Sequence, residues 1–283
     1  MAAAPRLSVV VPTRHRPGPV ERCLRAIADG DLDRSTYEVV VVLDGEDVAD
    51  PVVPDGLPVR VLRATRGGPA VARNRGAFVA RGRVLAFTDD DCTPDRAWAR
   101  LLLDRVEAQP DALVGGRFVN ALPHNGWAEA SHLVLDVVVQ QTVRRQAPIA
   151  FVPSANMAVR RDVFHAVGGF DERFPHAAAE DRDLCARITE AGFPIVLEPA
   201  AVVHHHNDLS AAGFLRQHAA YGIGAVTYQR ARRARGRGPM LAPGGLYREL
   251  MAAGLRRRQL GRVATSQVAY AAGVATGLLR RAA

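Results

Sequence analysis

The chain has 283 residues, of which 48% are apolar and 23% are charged. This composition can bury one substantial core or two modest ones, which excludes a disordered tail and a disulfide-stapled miniprotein. The three cysteines, Cys23, Cys92 and Cys185, lie far apart and form no CxxC pair. The sequence therefore predicts neither a disulfide framework nor a thiolate zinc site, and it favours a cytoplasmic protein.

Charge is distributed unevenly along the chain. The formal net charge is +8, and all 37 basic residues are arginine. Residues 229–283 carry 12 arginines and one acid, a balance of +11, so residues 1–228 carry −3. A basic segment on a slightly acidic body indicates either a solvated helical face or contact with an anionic surface such as a membrane.

The first 110 or so residues alternate between short apolar runs and stretches with helical spacing. The runs predict strands at 7–11, 38–43, 58–62 and 83–88. The spacing predicts helices at 20–28, 68–80 and about 95–108. This order predicts a Rossmann-like, mostly parallel α/β sheet with flanking helices, whose ligands bind at the carboxyl ends of the strands.

After Gly115 and Gly116 the regular alternation is lost. The remaining signals are an amphipathic stretch at 127–143, a proline-flanked segment at 151–159, a helix at 180–191 and a strand at 195–197. A linker rich in glycine and proline then precedes two helices at about 246–260 and 263–280. We therefore divide the chain into 1–115, a second half of the same domain at 116–228, and a basic C-terminal helical extension at 229–283.

Three adjacent aspartates, Asp89, Asp90 and Asp91, directly follow a predicted strand. Two carboxylates 4 Å apart repel one another by about 4 kcal/mol near a protein surface, so a cation favours such a cluster. Ligation by oxygen alone suits Mg²⁺ or Mn²⁺. On an extended chain Asp89 and Asp91 would face one way and Asp90 the other. The alternative is a solvated acidic turn before the helix that begins near Pro94.

Six short segments in this order resemble the family 2 glycosyltransferases with the GT-A fold. The segments are residues 9–13 (VVVPT), 42–45 (VLDG), 68–76 (GPAVARNRG), 87–91 (FTDDD), 168–172 (GGFDE) and 180–184 (EDRDL). The resemblance runs from about residue 7 to residue 228. It implies a metal-dependent enzyme that moves a sugar from a nucleoside diphosphate sugar to an acceptor hydroxyl. It also makes 1–115 the donor-binding half and 116–228 the acceptor-binding half.

The resemblance implies roles for residues of the donor-binding half. Pro12, Thr13 and Arg14 would line the nucleotide pocket, and Asp44 would hydrogen-bond the base. A carboxylate that accepts from an imide N–H suits uracil or thymine, and we favour a UDP-sugar donor. Arg73 would contact the nucleotide, because a guanidinium recognises phosphate or a base edge well. Asp44 as a turn residue and Arg73 as a surface pair partner are the structural alternatives.

The resemblance also implies the metal ligands. Asp91 matches the metal-binding aspartate, and Asp89 or Asp90 matches the partner of the ribose and the metal. A histidine after the apolar run 200–203 would complete the metal shell or meet the diphosphate, since neutral imidazole is a common ligand. His204 is the first choice and His206, on the same face of an extended strand, the second. A solvent-facing histidine cluster is the alternative.

In the acceptor-binding half, Asp181 matches the general base, which would take the proton of the attacking hydroxyl. Glu180, Trp127 and Asn156 are candidate acceptor contacts. One base without a second nucleophile favours inversion at the anomeric carbon. The alternatives are a helix cap for Glu180 with Asp181, and core packing for Trp127 and Asn156.

Two other functions are compatible with parts of the sequence. A nucleotidyltransferase of similar fold would need a glycine-rich loop near the first strand, and residues 12–18 contain no GxG turn. A non-catalytic nucleic-acid-binding protein could use the arginine-rich tail, but that tail has only Tyr247 and Tyr270 for stacking and leaves the aspartates unexplained. We therefore expect no nucleic-acid partner.

The C-terminal helices have two open interpretations. Their apolar faces and arginines are typical of an interfacial helix pair on an anionic membrane, which would make the protein peripheral on the inner face. The same faces could instead pack on the catalytic body or on a second subunit, giving a homodimer. The longest apolar stretch is interrupted by polar residues at 265–267, which argues against a membrane-spanning helix.

Overall fold

A computed structural model of the chain describes residues 4–45, 49–144, 151–174, 177–240, 242 and 245–280. In these residues eight strands form one sheet. The strands are β1 (Leu7–Thr13), β2 (Tyr37–Asp44), β3 (Val59–Ala64), β4 (Val84–Thr88), β5 (Cys92–Pro94), β6 (Leu113–Asn120), β7 (Asn156–Arg160) and β8 (Ile195–His205).

The sheet has the order β3-β2-β1-β4-β7-β6-β8-β5. Strands β1 to β4 pair in parallel, and β8 pairs in parallel with β6. Strand β7 runs antiparallel to both of its neighbours, and β5 runs antiparallel to β8. The expected mostly parallel α/β sheet is confirmed. The carboxyl ends of β1, β2 and β4 form one edge, where a ligand site is expected.

Helices cover both faces of the sheet. They are α1 (Pro17–Ala28), α2 (Pro69–Val79), α3 (Trp98–Ala108), α4 (Gly126–Arg144), α5 (Arg161–Ala166), α6 (Glu180–Glu190), α7 (Ala211–Ala234), α8 (Leu246–Arg256) and α9 (Leu260–Leu279). Alternate residues of the central strands pack on opposite sides, because side chains alternate along a strand. Val9 and Val11 join the core under α1 and α3, while Val10 joins the core under α2 and α6.

Two boundaries drawn from the sequence fall inside regular elements. The division between residues 115 and 116 lies within β6, and the division between residues 228 and 229 lies within α7. Strand β6 pairs with β7 and β8 on either side, so the two halves share one continuous sheet. The divisions therefore separate parts of the sequence but not separate folding units.

The C-terminal helices pack on the body of the protein. Helix α8 buries Leu250 against Leu133 of α4, and α9 crosses α7 at two glycines. A Cβ atom on Gly273 would lie 2.0 Å from the carbonyl oxygen of Ala219, and one on Gly222 would lie 2.1 Å from that of Tyr270. Packing on the body is thus the interpretation that the structure supports for this buried face. No helix in the described part of the chain is long and apolar enough to span a membrane.

Candidate active site

The aspartate triplet follows β4 as a turn, with the N–H of Cys92 donating to the carbonyl of Asp89 over 3.1 Å. The expected extended alternation, with Asp89 and Asp91 on one face, is therefore wrong. The three carboxylates instead contact three different sets of partners. Asp89 pairs with Arg73, whereas Asp90 and Asp91 share the guanidinium of Arg16.

Asp90 contacts the last residue of β1 and the loop that follows this strand. The Thr13 hydroxyl donates to its Oδ2 atom over 2.7 Å, and one guanidinium nitrogen of Arg16 donates to its Oδ1 atom over 2.8 Å. The second guanidinium nitrogen donates to Asp91 Oδ2 over 2.7 Å. Arg16 thus bridges two acids as an internal counter-ion. Sequence reasoning missed Arg16, although its position just after a strand at the ligand edge was a usable signal.

Asp91 lies beside His205, with 3.4 Å between its Oδ1 atom and the His205 Nε2 atom. Asp91, Cys92 and His205 form a group of potential ligands whose atoms lie within 4.8 Å of one another. Burial raises the pKa of the Cys92 thiol well above its ordinary value, which keeps it protonated and a poor ligand. The carboxylate and the imidazole are left as the two donors that could hold a cation.

The other two histidines point elsewhere, which corrects the choice of His204. Its Nε2 atom lies 2.8 Å from Asp95 Oδ1 at the exposed end of β8. The His206 ring contacts the Thr93 hydroxyl over 3.0 Å. Strand register decides the outcome: β5 and β8 are antiparallel, and Cys92 lies opposite His205, which brings that histidine next to the aspartates.

The pKa values of the two bridged acids differ. Burial raises the pKa of Asp90 to about 6, with Arg16 opposing that shift. Burial also opposes ionisation of Asp91, but the hydrogen bond to His205 and the positive charges of His205 and Arg16 outweigh it, and its pKa lies below the ordinary value. Asp91 is therefore the more readily ionised member of the pair and the better ligand for a cation.

Arg73 connects the aspartate turn to the first residue of α6, Glu180. It is 2% exposed, and its guanidinium donates to Asp89 Oδ1 over 2.7 Å and to Glu180 Oε1 over 2.9 Å. Arg73 Nε and Glu180 Oε2 are buried without a hydrogen-bond partner among the described residues. Arg73 thus forms ion pairs with two acids. Its contact with a nucleotide stays a prediction.

Asp181 lines the same large cavity as Asp89 and His205. Its carboxylate accepts from the backbone N–H of Arg182 over 2.7 Å and from that of Ser154 over 3.4 Å. Burial raises the pKa of Asp181 despite the nearby positive charge of Arg73. A raised pKa improves a carboxylate as a proton acceptor, so the environment suits the role of a base.

The residue before this pair is strained. Ala179 has a φ of 74°, in the left-handed region that few residues other than glycine adopt. It is the N-cap of α6, and Glu180 begins that helix. Such backbone conformations cost energy and are concentrated at functional sites. The strain is consistent with a site that needs Glu180 and Asp181 in fixed positions.

Two candidate acceptor contacts have structural roles instead. Asn156 is fully buried; its Oδ1 atom accepts from the Trp98 indole over 2.8 Å, and its Nδ2 atom donates to the carbonyls of Arg117 and Ala201 over 3.0 Å each. Such an amide has no group left for an acceptor. Trp127 lies outside the cavity lining and packs on Phe214, with 5.1 Å between ring centroids.

The nucleotide residues expected from the sequence lie at the ends of β1 and β2. Thr13 is buried against Asp90, Pro12 is partly exposed, and Arg14 is exposed. Asp44 Oδ1 accepts from the backbone N–H groups of Gly67 and Gly68 over 2.8 and 3.3 Å. These bonds fix the loop before α2 and use one carboxylate oxygen, which leaves Oδ2 outside them.

The sequence family accounts for this arrangement. The family model for glycosyl transferase family 2 matches residues 8–168, more than half of the chain. The chain belongs to glycosyl transferase family 2. The structure of the mannosyltransferase PcManGT from Pyrobaculum calidifontis, in complex with GDP-Man and Mn²⁺, matches this family 2 chain with a TM-score of 0.60 at 22% identity. That match covers 97% of the chain and 76% of the mannosyltransferase, and the shared fold is the GT-A fold.

Named relatives match over the same region. The pre-mycofactocin glycosyltransferase of Mycobacterium tuberculosis is 33% identical over 230 residues, which cover 78% of the family 2 chain and 47% of that relative. The glucosyl-dolichyl phosphate glucuronosyltransferase of Haloferax volcanii is 30% identical over 183 residues, which cover 59% of this chain and 58% of that protein. The chain spans about half the length of these curated relatives.

Proposed function

We propose that the protein transfers a sugar from a nucleoside diphosphate sugar to an acceptor hydroxyl, with inversion at the anomeric carbon. The observation that carries the proposal is that one cavity is lined by Asp89 and His205 from the donor side and by Asp181 from the acceptor side. Family membership supports the reaction class, and neither a nucleotidyltransferase nor a nucleic-acid-binding protein gains support from it.

A divalent cation fits the residues of the donor side. Asp91 and His205 would hold it, because a charged carboxylate and an imidazole nitrogen 3.4 Å apart form a mixed oxygen and nitrogen donor set. The carboxylate suits both Mn²⁺ and Mg²⁺, whereas the imidazole nitrogen favours Mn²⁺ over the harder Mg²⁺. The Mn²⁺ in the mannosyltransferase complex supports the proposal. The bound cation would supply positive charge where the diphosphate gains negative charge on leaving.

The residues of the chain supply the other parts of the reaction. Asp181 would accept the proton of the acceptor hydroxyl as the oxygen attacks the anomeric carbon. Arg73 holds Glu180 beside it, and Arg16 offers a guanidinium at the diphosphate end of the site. Attack from the Asp181 side, opposite the leaving diphosphate, gives inversion.

The base and sugar of the donor are open to a direct test. Asp44 Oδ2 would accept from a base N–H, which favours a uracil nucleotide. The mannosyltransferase neighbour binds a guanine nucleotide, which also carries ring N–H groups. Thermal shift with UDP, GDP and dTDP, each with and without Mn²⁺, distinguishes them, because a ligand that binds the folded state raises Tm. A shift with UDP alone supports the uracil assignment, and a shift with GDP alone contradicts it.

Metal dependence is tested by removal and by substitution. We expect EDTA to abolish transfer, Mn²⁺ or Mg²⁺ to restore it, and Asp91→Ala to lose cation-dependent nucleotide binding with the fold intact by circular dichroism. His205→Ala should weaken cation-supported binding, whereas His204→Ala, on the same strand, serves as its matched control. Undiminished transfer in EDTA would contradict a metal-dependent enzyme.

We also propose that the exposed corner between α8 and α9 contacts anionic membranes. Leu255 and Leu260 are exposed there and flank three consecutive exposed arginines at 256–258. Apolar side chains beside arginines suit a headgroup surface, at about 1 kcal/mol per arginine. Co-sedimentation with vesicles containing phosphatidylglycerol at low and high salt tests this contact. Equal pelleting of the wild type and a variant with all three arginines changed to glutamine would contradict it.

A further inference from the structure

The active-site cavity extends well beyond the catalytic carboxylates. It has a volume of about 800 Å³, within the range of pockets that bind drug-sized molecules. Asp89, Arg73, Glu180 and Asp181 line it on the polar side, where Arg73 pairs with Asp89 and Glu180. Helices α4, α7, α8 and α9 supply further lining, and three of these four lie beyond the region matched by the family model.

Three helices turn apolar faces toward this cavity. The lining residues recur at helical spacing, three or four residues apart, as expected for one face of a helix. They include Leu135 and Val138 of α4, Tyr221, Ala225 and Tyr228 of α7, and Leu246 and Leu250 of α8. Phe151, Met240, Tyr247 and Tyr270 add further apolar and aromatic surface. These residues form a cavity wall that is mainly hydrocarbon and aromatic ring.

The longer polar side chains in this wall are engaged with the protein itself. Gln229 donates to the carbonyl of Met240 over 2.6 Å and accepts from its N–H over 3.1 Å. Arg232 pairs with Glu190 over 2.8 Å. Because their polar ends are used in this way, these side chains present mostly their hydrocarbon stems to the cavity.

His218 carries no charge into the cavity. It is 2% exposed and packs on Phe214, with 4.3 Å between ring centroids, and on Tyr221 at 5.5 Å. Burial lowers the pKa of His218 to about 4, so the ring is neutral at pH 7. The three rings form a continuous uncharged strip along α7.

We propose that the acceptor has an apolar body that occupies this wall while its hydroxyl lies at Asp181. The position of the hydroxyl at Asp181 rests on the proposed function. The binding of an apolar group at the cavity wall does not depend on that function. Burial of hydrocarbon against an apolar wall stabilises the complex, whereas a wholly polar acceptor would lose hydration there without gaining hydrogen bonds. Such an acceptor is a hydroxyl-bearing amphiphile, whether a lipid of a membrane or a free molecule.

Binding of a graded series of amphiphiles tests the wall without requiring turnover. The probes are methyl, hexyl, octyl and decyl β-glucoside, each below the concentration at which it forms micelles, titrated calorimetrically in the presence of UDP or GDP with Mn²⁺. Full burial of a methylene group tightens binding about fourfold, so we expect affinity to increase at each step up the series. An affinity independent of chain length, in protein that still binds nucleotide, overturns the proposal.

Two variants and a control tie the effect to the cavity. Ala225→Phe fills space at the apolar wall, so we expect the dependence on chain length to disappear. Ala212→Phe adds the same ring to an exposed position on the same helix, outside the lining, and should keep the dependence. If Ala225→Phe does not fold, Val138→Thr tests the same wall, because it changes a methyl to a hydroxyl at nearly constant shape. We expect this variant to bind decyl glucoside several-fold more weakly than the wild type does.

Nucleotide binding and vesicle competition separate the remaining outcomes. Nucleotide binding is measured on the wild type and on every variant, because it reports on the donor side. A wild type that binds no nucleotide would refute the proposed function without refuting the apolar subsite. At equal free concentrations of decyl glucoside, vesicles of phosphatidylglycerol, whose headgroup carries hydroxyls, should weaken glucoside binding if a lipid is the source and leave it unaffected if the source is a free amphiphile. Chain-length dependence that persists unchanged in both Ala225→Phe and Val138→Thr would place the hydrocarbon elsewhere and overturn the proposal.

Discussion

Replacing Arg16 by glutamine should make the nucleotide-free protein bind Mn²⁺ more tightly. The Arg16 guanidinium donates to Asp90 and Asp91 over 2.8 and 2.7 Å and thereby supplies the positive charge that a cation would bring. Arg16→Gln removes this competitor. It also leaves two largely buried acids without their shared counter-ion, which should destabilise the cation-free protein.

The magnitude follows from the exposure of the partners. The side chain of Arg16 is 46% exposed, whereas those of Asp90 and Asp91 are 5% and 11% exposed. A hydrogen bond to a charged group contributes about 1.5–3 kcal/mol, and solvent screening of a half-exposed guanidinium places this one near 1.5 kcal/mol. That free energy corresponds to roughly a tenfold lower Kd for Mn²⁺. The Tm without cation should fall by about 3–6 °C.

Isothermal titration with MnCl₂ and thermal unfolding with and without Mn²⁺ measure both effects. Arg25→Gln is the matched control, because it removes the same charge from a side chain of α1 that is 70% exposed. Saturating Mn²⁺ should restore the Tm of Arg16→Gln toward that of the wild type. The reasoning is refuted if both variants shift Mn²⁺ affinity equally, or if Arg16→Gln binds Mn²⁺ more weakly than the wild type.

Three further changes test other parts of the structure. Asp181→Asn should lower kcat by about 10²–10⁴ with donor binding retained. The wild-type kcat/KM should fall on acidification at a higher pH than an ordinary aspartate would give, because the pKa of this carboxyl is raised and only its ionised form accepts a proton. A crippled Glu180→Gln beside an active Asp181→Asn in steady-state assays would place the base one residue away. Asn156→Ala should lower the free energy of unfolding by about 3 kcal/mol in urea denaturation, because three buried hydrogen bonds are lost, while KM for an acceptor stays unchanged if the role is structural. Gly273→Leu should lower Tm strongly, since its Cβ would lie 2.0 Å from a carbonyl oxygen of the facing helix, whereas Gly261→Ala, with nothing within 4 Å, should not.

The sequence predicts those parts of the site whose positions depend on where the strands end. Apolar runs located β1, β2 and β4, and the aspartates after β4 then had to lie at the ligand edge. The partner of Asp91 was not predictable, because three consecutive histidines offer either face of a strand. Only the pairing of β5 with β8 selects His205 over His204, and register between distant strands is a tertiary property.

Helix α7 is the main element that the sequence did not indicate. Its 24 residues include Gly213, Gly222 and Gly224, and glycine inside a helix costs up to about 1 kcal/mol relative to alanine. The structure explains two of them by close approach: a Cβ on Gly222 would meet α9, and one on Gly224 would lie 2.4 Å from the carbonyl oxygen of Ala178. Tertiary packing thus compensates for the poor helix propensity of these glycines. Such packing cannot be predicted from the local sequence pattern.

The pairing of Arg73 with Glu180 has a consequence for synthesis on the ribosome. The two residues are 107 positions apart, so at about 5–20 residues per second the guanidinium waits some 5–20 seconds for its second partner. One edge of strand β4 likewise stays unpaired until its partner β7 has been synthesised. During that interval the nascent chain presents an unpaired strand edge and an arginine that lacks one of its two counter-ions. Slowing translation between residues 90 and 160 should therefore increase the dependence of this chain on chaperones.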